Sequence, residues 1–326
     1  MKKIFCLFLS VLILLPSFVS CAPQEKDGSF DIVCTVFPIY DWVRSCLGDA
    51  EGVNVTLLVD NGTDPHSFSP SSADAAEIYS CDMLIYVGGE SDSWVTDALE
   101  ARGDDKPCVL PLLELLGERV IEHEHTETVH SHGHEHEHDS GSAHGAYDEH
   151  VWLSVKNASY LCDKISDELA RLLPNSADII AKNSEEYINK LNELDSKYET
   201  AIASCESRFL LFADRFPFEY LVHDYGLEYY AAFSGCSTDV EATFETVISL
   251  IYEIDAHSLP YVLTLESSNG DLARTAISES RDKNATVLAL DSMQSIGKRD
   301  IENGLSYIGV MENNLDVIKT ALSFGK

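Results

Sequence analysis

Short apolar runs rich in β-branched residues alternate with segments of helical periodicity. This alternation confines the chain to an α/β architecture built on parallel sheets. In the first half the runs fall at 32–37, 53–59, 83–87 and 109–112. Between the first two, Ile39, Trp42, Val43, Cys46 and Leu47 recur at helical spacing and stop at Gly48, a helix-terminating residue. The same rhythm returns at 209–213, 227–233, 261–265 and 287–290, without any repeat of the sequence itself. A final helix places Tyr307, Met311, Leu315, Ile318 and Leu322 on one stripe. Eight strands in two sets predict two lobes, each a parallel β-sheet flanked by helices.

A different signal separates the sets. Pro174 and Asn175 open a helix, with Asn175 as the expected N-cap and Asp178 in its first turn. Ile180, Tyr187, Leu191, Leu194, Tyr198 and Ile202 then hold one apolar stripe as far as Ser204. A helix of that extent spans about 43 Å and would join the lobes as one long rigid rod, unless it breaks near Asn183 or Asn192. The expected organisation is a signal peptide at 1–20, a tether at 21–29, an N-terminal α/β lobe at 30–174, a linking helix at 175–205 and a C-terminal α/β lobe at 206–326.

Charge narrows the function. With 22 Lys and Arg against 55 Asp and Glu, the net charge is −33. Such a surface repels nucleic acid and attracts cations. Lys2 and Lys3 precede an apolar run that ends Phe18-Val19-Ser20-Cys21, the pattern of a secretory signal. The small residue before Cys21 resembles a bacterial lipoprotein cleavage box, with Phe18 where Leu is usual. Cys21 is therefore the expected lipid attachment point, with membrane lipid as a partner and an extracytoplasmic location. Nine cysteines include Cys6 and Cys21; Cys34, Cys46, Cys81, Cys108, Cys162, Cys205 and Cys236 remain, none in Cys-x-x-Cys spacing. They are read as small hydrophobes, without a disulfide framework.

Three features carry chemistry. The segment 122–146 is almost devoid of apolar residues and holds His123, His125, His130, His132, His134, His136, His138 and His144. Imidazoles at this density bind zinc, copper or nickel loosely, on a surface loop without fixed geometry. Gly62-Thr63-Asp64-Pro65-His66-Ser67-Phe68 follows the second strand and presents His66 at a strand's C-terminal end, where open α/β sheets bind ligands. Asp148-Glu149-His150-Val151-Trp152-Leu153 follows the His-rich loop.

Together these motifs resemble the extracytoplasmic metal-binding receptors of bacterial zinc and manganese ABC transporters, over about residues 30–326. The family carries a Gly-x-x-Pro-His element like Gly62 to His66 and an Asp-Pro-His-x-Trp-Leu element like 148–153, here with Glu149 for Pro. A His-rich loop, the linking helix, the run from Phe218 to Leu227, Glu266-Ser267-Ser268 and Tyr307-x-x-x-Met311-x-x-Asn314 also resemble the family's pattern.

The resemblance implies metal ligation by His66 and His150, and by Asp291 at the end of the last strand. It places Arg215 where the family has a third ligand, and a guanidinium has no lone pair to offer. Asp214, Glu219, Glu266 or a water stand open as replacements, and Arg215 is expected to pair with Glu266 or Asp291. His223, about two turns further on, is expected to face elsewhere.

The implied function is capture of a metal ion, zinc ahead of manganese, and delivery to an ABC permease driven by its ATPase. The protein would act as a monomer without catalysing a reaction. The alternatives are a surface adhesin on the same scaffold, or a receptor whose cleft takes another ligand. A zinc hydrolase is disfavoured, because the His-Glu pairs of the His-rich loop, His134 to His138 among them, are what so dense a tract gives by chance, and no Gly-x-Ser-x-Gly elbow is present.

Overall fold

The computed structural model describes residues 28–103, 107–122, 147–233, 235–236 and 241–323. Cys21 and the eight histidines at 123–144 lie outside the described residues.

Two four-stranded parallel sheets form the frame. The first contains β1 (Phe30–Cys34), β2 (Val53–Leu57), β3 (Met83–Tyr86) and β4 (Cys108–Pro111), ordered β2-β1-β3-β4. The second contains β5 (Phe209–Phe212), β6 (Glu228–Ala231), β7 (Tyr261–Leu265) and β8 (Thr286–Leu290), ordered β6-β5-β7-β8. All eight strands fall on the expected apolar runs. The difference at the first run is instructive. Phe37 leaves the strand and opens α1 (Phe37–Leu47), because Pro38 suits a helix's first turn and cannot donate to a sheet.

The remaining helices of the first half are α2 (Ser72–Ser80), α3 (Trp94–Ala101), α4 (Leu112–Leu116) and α5 (Val155–Leu172). The linking helix α6 (Ala177–Ala203) follows. The second half holds α7 (Glu219–Tyr225), α8 (Phe244–His257), α9 (Asp271–Glu279), α10 (Lys298–Glu302) and α11 (Tyr307–Leu322).

Helix α6 is continuous over 27 residues, about 40 Å. Its start differs from expectation. Pro174–Ser176 forms a 3-10 turn that feeds the helix, so Ser176, not Asn175, occupies the N-cap, and no side chain caps it. The two asparagines where a break was conceivable have other work. Asn183 Nδ2 donates to the carbonyls of Cys46 and Leu47, at 3.4 and 3.2 Å, capping the C-terminus of α1. Gly48 ends α1 with φ +54°, and a Cβ there would lie 2.2 Å from Asn183 Nδ2, so this close approach requires glycine. Asn192 Oδ1 accepts from Ser159 Oγ of α5 at 2.9 Å.

One hydrophobic cluster runs through both halves. It includes Ile32, Trp42 and Met83 of the first, Ile180, Leu191 and Tyr198 of α6, and Phe212, Leu263 and Met311 of the second. Burying each such Leu or Ile side chain contributes about 1.5–3 kcal/mol. Polar bonds fix the junction. Tyr187 Oη donates to Asp41 at 3.0 Å, Tyr198 Oη to the Met311 carbonyl at 2.6 Å, and Tyr307 Oη to the Trp152 carbonyl at 2.7 Å. A short antiparallel bridge joins Asn61 to Gly297, beside a 2.7 Å bond from Lys298 N to the Asp60 carbonyl.

Candidate metal site

Parallel strands deliver their following loops to one edge, and both sheets turn that edge toward the junction. His66 follows β2, Ser91 follows β3, and Asp148 and His150 lie beyond β4; Arg215 follows β5, Cys236 β6, Glu266 β7 and Asp291 β8. This is where open α/β sheets bind ligands.

His66 sits in a 3-10 turn over Pro65–Ser67, whose start is fixed by Asp64 Oδ1 accepting from His66 N at 3.0 Å. His150 is held by its own motif. Asp148 Oδ1 accepts from both His150 N and Nδ1, at 2.7 and 3.0 Å. A carboxylate only accepts, so Nδ1 carries a proton and the ring turns Nε2 away from Asp148. The two imidazoles converge with their Nε2 atoms 3.1 Å apart. Two nitrogens on a tetrahedral zinc, each ~2.0–2.1 Å from it, stand about 3.3 Å apart. The far nitrogen of His66, Nδ1, bonds Ser91 Oγ at 2.7 Å, which leaves its Nε2 free to face His150.

Glu149, standing where the resembled motif has Pro, supports this geometry. Its carboxylate accepts from Glu90 N and, at 3.1 and 3.2 Å, from Ser91 N, so it anchors the loop carrying the His66 partner. Gly89 is required for that approach, since a Cβ would fall on the Glu149 carboxylate.

Among the described residues, one set of donors is compact enough to share an ion: His66, His150 and Cys236, with ligand atoms all within 4.8 Å of one another. Burial lowers the proton affinity of His150, but the Asp148 carboxylate and the Cys236 sulfur outweigh it and raise its pKa to about 10. Burial likewise raises the Cys236 thiol, yet hydrogen bonds and positive charge from His150 and His66 bring it down to about 6. Gln294 closes another side, with Nε2 at 3.1 Å from His150 Nε2 and Oε1 accepting from Cys236 Sγ at 3.3 Å.

The other expected residues are placed as follows. Asp291 ends β8 outside the compact set; its Oδ1 accepts from Met293 N at 2.8 Å, and its backbone is bonded in both directions by Asn314. Burial raises its pKa, and that of Glu266, which Asp291 raises further. Glu266 is engaged by Ser292, accepting from N at 2.9 Å and from Oγ at 3.0 and 3.1 Å. Asp214 accepts from Arg215 N at 2.9 Å and Leu265 N at 3.3 Å. Glu219 accepts from Tyr229 Oη at 2.7 Å, and His223 is exposed.

The pairing expected for Arg215 is corrected. It bonds neither Glu266 nor Asp291: its Nη1 donates to Asp64 Oδ2 at 2.9 Å and to the Cys236 carbonyl at 3.1 Å. Asp64 reaches it because the His66 turn abuts the loop after β5, a proximity created by the lobe junction.

Cys236 was read as a small hydrophobe. Its sequence neighbours, Ser234-Gly235 before it and Ser237-Thr238-Asp239 after it, are polar and offer the contrary signal. Ser91, Glu149 and Gln294 carried no comparable signal.

Two α/β lobes with imidazoles converging at their junction define a binding protein of the periplasmic receptor class. The chain belongs to the ZnuA family, described as "Zinc-uptake complex component A periplasmic", which matches residues 32–321. It is 31% identical over 320 residues to the zinc-binding lipoprotein AdcA of Streptococcus pneumoniae R6, covering 98% of this chain and 61% of that protein. The high-affinity zinc uptake system protein ZnuA of Bacillus subtilis is 29% identical over 313 residues, with 93% of each covered. The Zn(II)-bound ZnuA-like domain of S. pneumoniae AdcA superposes with a TM-score of 0.71 at 26% identity, covering 91% of this chain and all of that domain. Among the described residues, no helix is long and apolar enough to cross a membrane.

Proposed function

We propose that the chain captures a divalent transition metal outside the cytoplasmic membrane and hands it to an ABC permease driven by a cytoplasmic ATPase. Zinc is the favoured cargo, ahead of manganese. The observation that carries this reading is the pair of Nε2 atoms 3.1 Å apart, each ring oriented through its other nitrogen, by Asp148 and by Ser91. Two lone pairs pointed at one spot repel unless a proton or a metal ion lies between them, and second partners of this kind are typical of imidazole ligands. Relatives named as zinc-binding and zinc-uptake proteins support the choice of metal.

In this reading His66 and His150 are ligands, and Asp291, which the resemblance also names, contributes negative charge from outside the compact set. The histidines of 122–146 bind additional ions weakly. Cys21 carries acyl chains that hold the receptor, a monomer, at the membrane. The protein performs no reaction: it binds tightly enough to scavenge and releases at the permease. Metal analysis of protein purified without added metal, followed by competition between zinc and manganese, tests the reading. One tightly held zinc per chain supports it; no stoichiometric metal refutes it.

A further inference from the structure

The resemblance leaves the site one ligand short, because Arg215 stands where a third donor belongs. The structure supplies a donor from elsewhere. Cys236, after β6, brings its sulfur within 4.8 Å of the ligand nitrogens of both His66 and His150. Arg215 is what holds it there. One guanidinium nitrogen donates to the Cys236 carbonyl at 3.1 Å and to Asp64 at 2.9 Å. Asp64 in turn fixes the backbone of His66. A single cation thus ties the residue carrying the thiol to the turn carrying the first imidazole, and the Asp64 carboxylate offsets its charge. The other described cysteines are committed differently. Cys108 donates to Glu168 at 2.9 Å and Cys205 to the Ala201 carbonyl at 3.3 Å, while Cys34, Cys46, Cys81 and Cys162 are buried in the protein interior.

We propose that Cys236 is the third protein ligand, so that this site is built of two imidazoles and one thiolate, with Arg215 as the residue that positions the thiolate. The proposal rests on the receptor reading above and deepens it. Its consequence is selectivity. A thiolate favours soft and borderline ions such as zinc, whereas manganese stands lowest in the affinity order and prefers oxygen donors. A sulfur bond of ~2.3 Å beside two imidazole bonds of ~2.0–2.1 Å is an ordinary zinc set, with the fourth position left to Gln294 or water. The site therefore discriminates against manganese more strongly than an all-nitrogen-and-oxygen site would.

Cobalt(II) reads this directly, since thiolate ligation gives an intense near-ultraviolet charge-transfer band that imidazole and carboxylate do not. The probe is cobalt added to the mature chain at up to one equivalent. The segment 123–144 contains no cysteine, so ions captured there are silent in this band. The expected result is a band in the wild type that survives Cys108→Ser and Cys205→Ser. It should vanish in Cys236→Ser, which still binds cobalt but holds zinc at least tenfold more weakly. Cys236→Asp should lower the zinc-over-manganese preference at least tenfold. Arg215→Ala should weaken the band at saturating cobalt, and Arg215→Lys should restore part of it; an unchanged band in Arg215→Ala removes the positioning role. If Cys236→Ser does not fold, the wild-type band and its persistence in the two control variants decide. Wild-type protein that binds one cobalt tightly without the band overturns thiolate ligation and leaves the receptor reading standing. Protein that binds neither cobalt nor zinc stoichiometrically overturns both.

Discussion

Asp64 and Arg215 meet across the lobe junction at 2.9 Å, with both side chains mostly buried. The first belongs to the turn that presents His66, the second to the loop after β5. Their pairing makes the geometry of the candidate metal site depend on contact between the lobes. Arg215→His, which installs one of the two ligand types, His or Glu, that the resembled family carries there, removes that contact. It should weaken zinc binding despite adding an imidazole, and competition titration of the variant against wild type measures this. Tighter binding would mean that the pair is dispensable.

The two convergent imidazoles give the simplest expectation. His66→Ala and His150→Ala should each weaken zinc binding by at least tenfold, about 1.4 kcal/mol. The measurement belongs on protein lacking residues 123–144, so that loop capture does not mask the loss. Wild-type affinity in both variants would remove the site from the junction.

Asp148 acts through His150. Asp148→Asn replaces an acceptor that fixes the ring's tautomer with a group that can also donate. Loss of such a partner typically costs 10–100-fold in metal affinity. The fold should survive, because the amide oxygen can still accept from His150 N. Unchanged affinity by competition with a chromophoric chelator would show that His150 needs no such orientation.

Asp92 predicts a pH dependence. Burial pushes its carboxyl up to about 6, against the lowering effect of N–H bonds from Val87 and Gly88 and with a further upward contribution from Glu149. An unfolded Asp ionises near ~3.9. The folded chain therefore keeps a proton that the unfolded chain has lost, and stability falls as pH rises from about 4 to about 6, by up to ~3 kcal/mol in all. Asp92→Asn keeps an oxygen for Val87 and Gly88 and cannot ionise. Urea titrations across this range should show the slope flattened in the variant; an identical slope would reassign the effect.

Much of this architecture was legible in the sequence because strand and helix periodicities are local. Each strand lies on its apolar run, and Gly48 marks the end of α1 where the pattern stops. Misreadings arose where a residue answers to a distant partner. Asn183 looked like a weak point in α6, yet it caps α1 from more than 130 positions away. Arg215 was given a carboxylate from its own lobe, and the one it finds is Asp64. His66 and His150 were legible from motif context, and the structure brings them together. Cys236 was not, because a cysteine's surroundings decide whether it acts as a hydrophobe or a donor. Those surroundings came from β2 and from the segment beyond β4.

The hydrophobic cluster shared by both sheets and α6 implies that neither lobe has a melting transition of its own. The three tryptophans, Trp42, Trp94 and Trp152, all lie in the first half of the chain, so fluorescence watches one lobe while far-ultraviolet dichroism watches both. The two melting curves should coincide, and zinc should move them together. An ion present at a hundred times its dissociation constant adds about 2.7 kcal/mol to the folded state. In a cooperative chain that increment belongs to the whole molecule, and a probe near Trp42 registers cargo that the second lobe helps to hold.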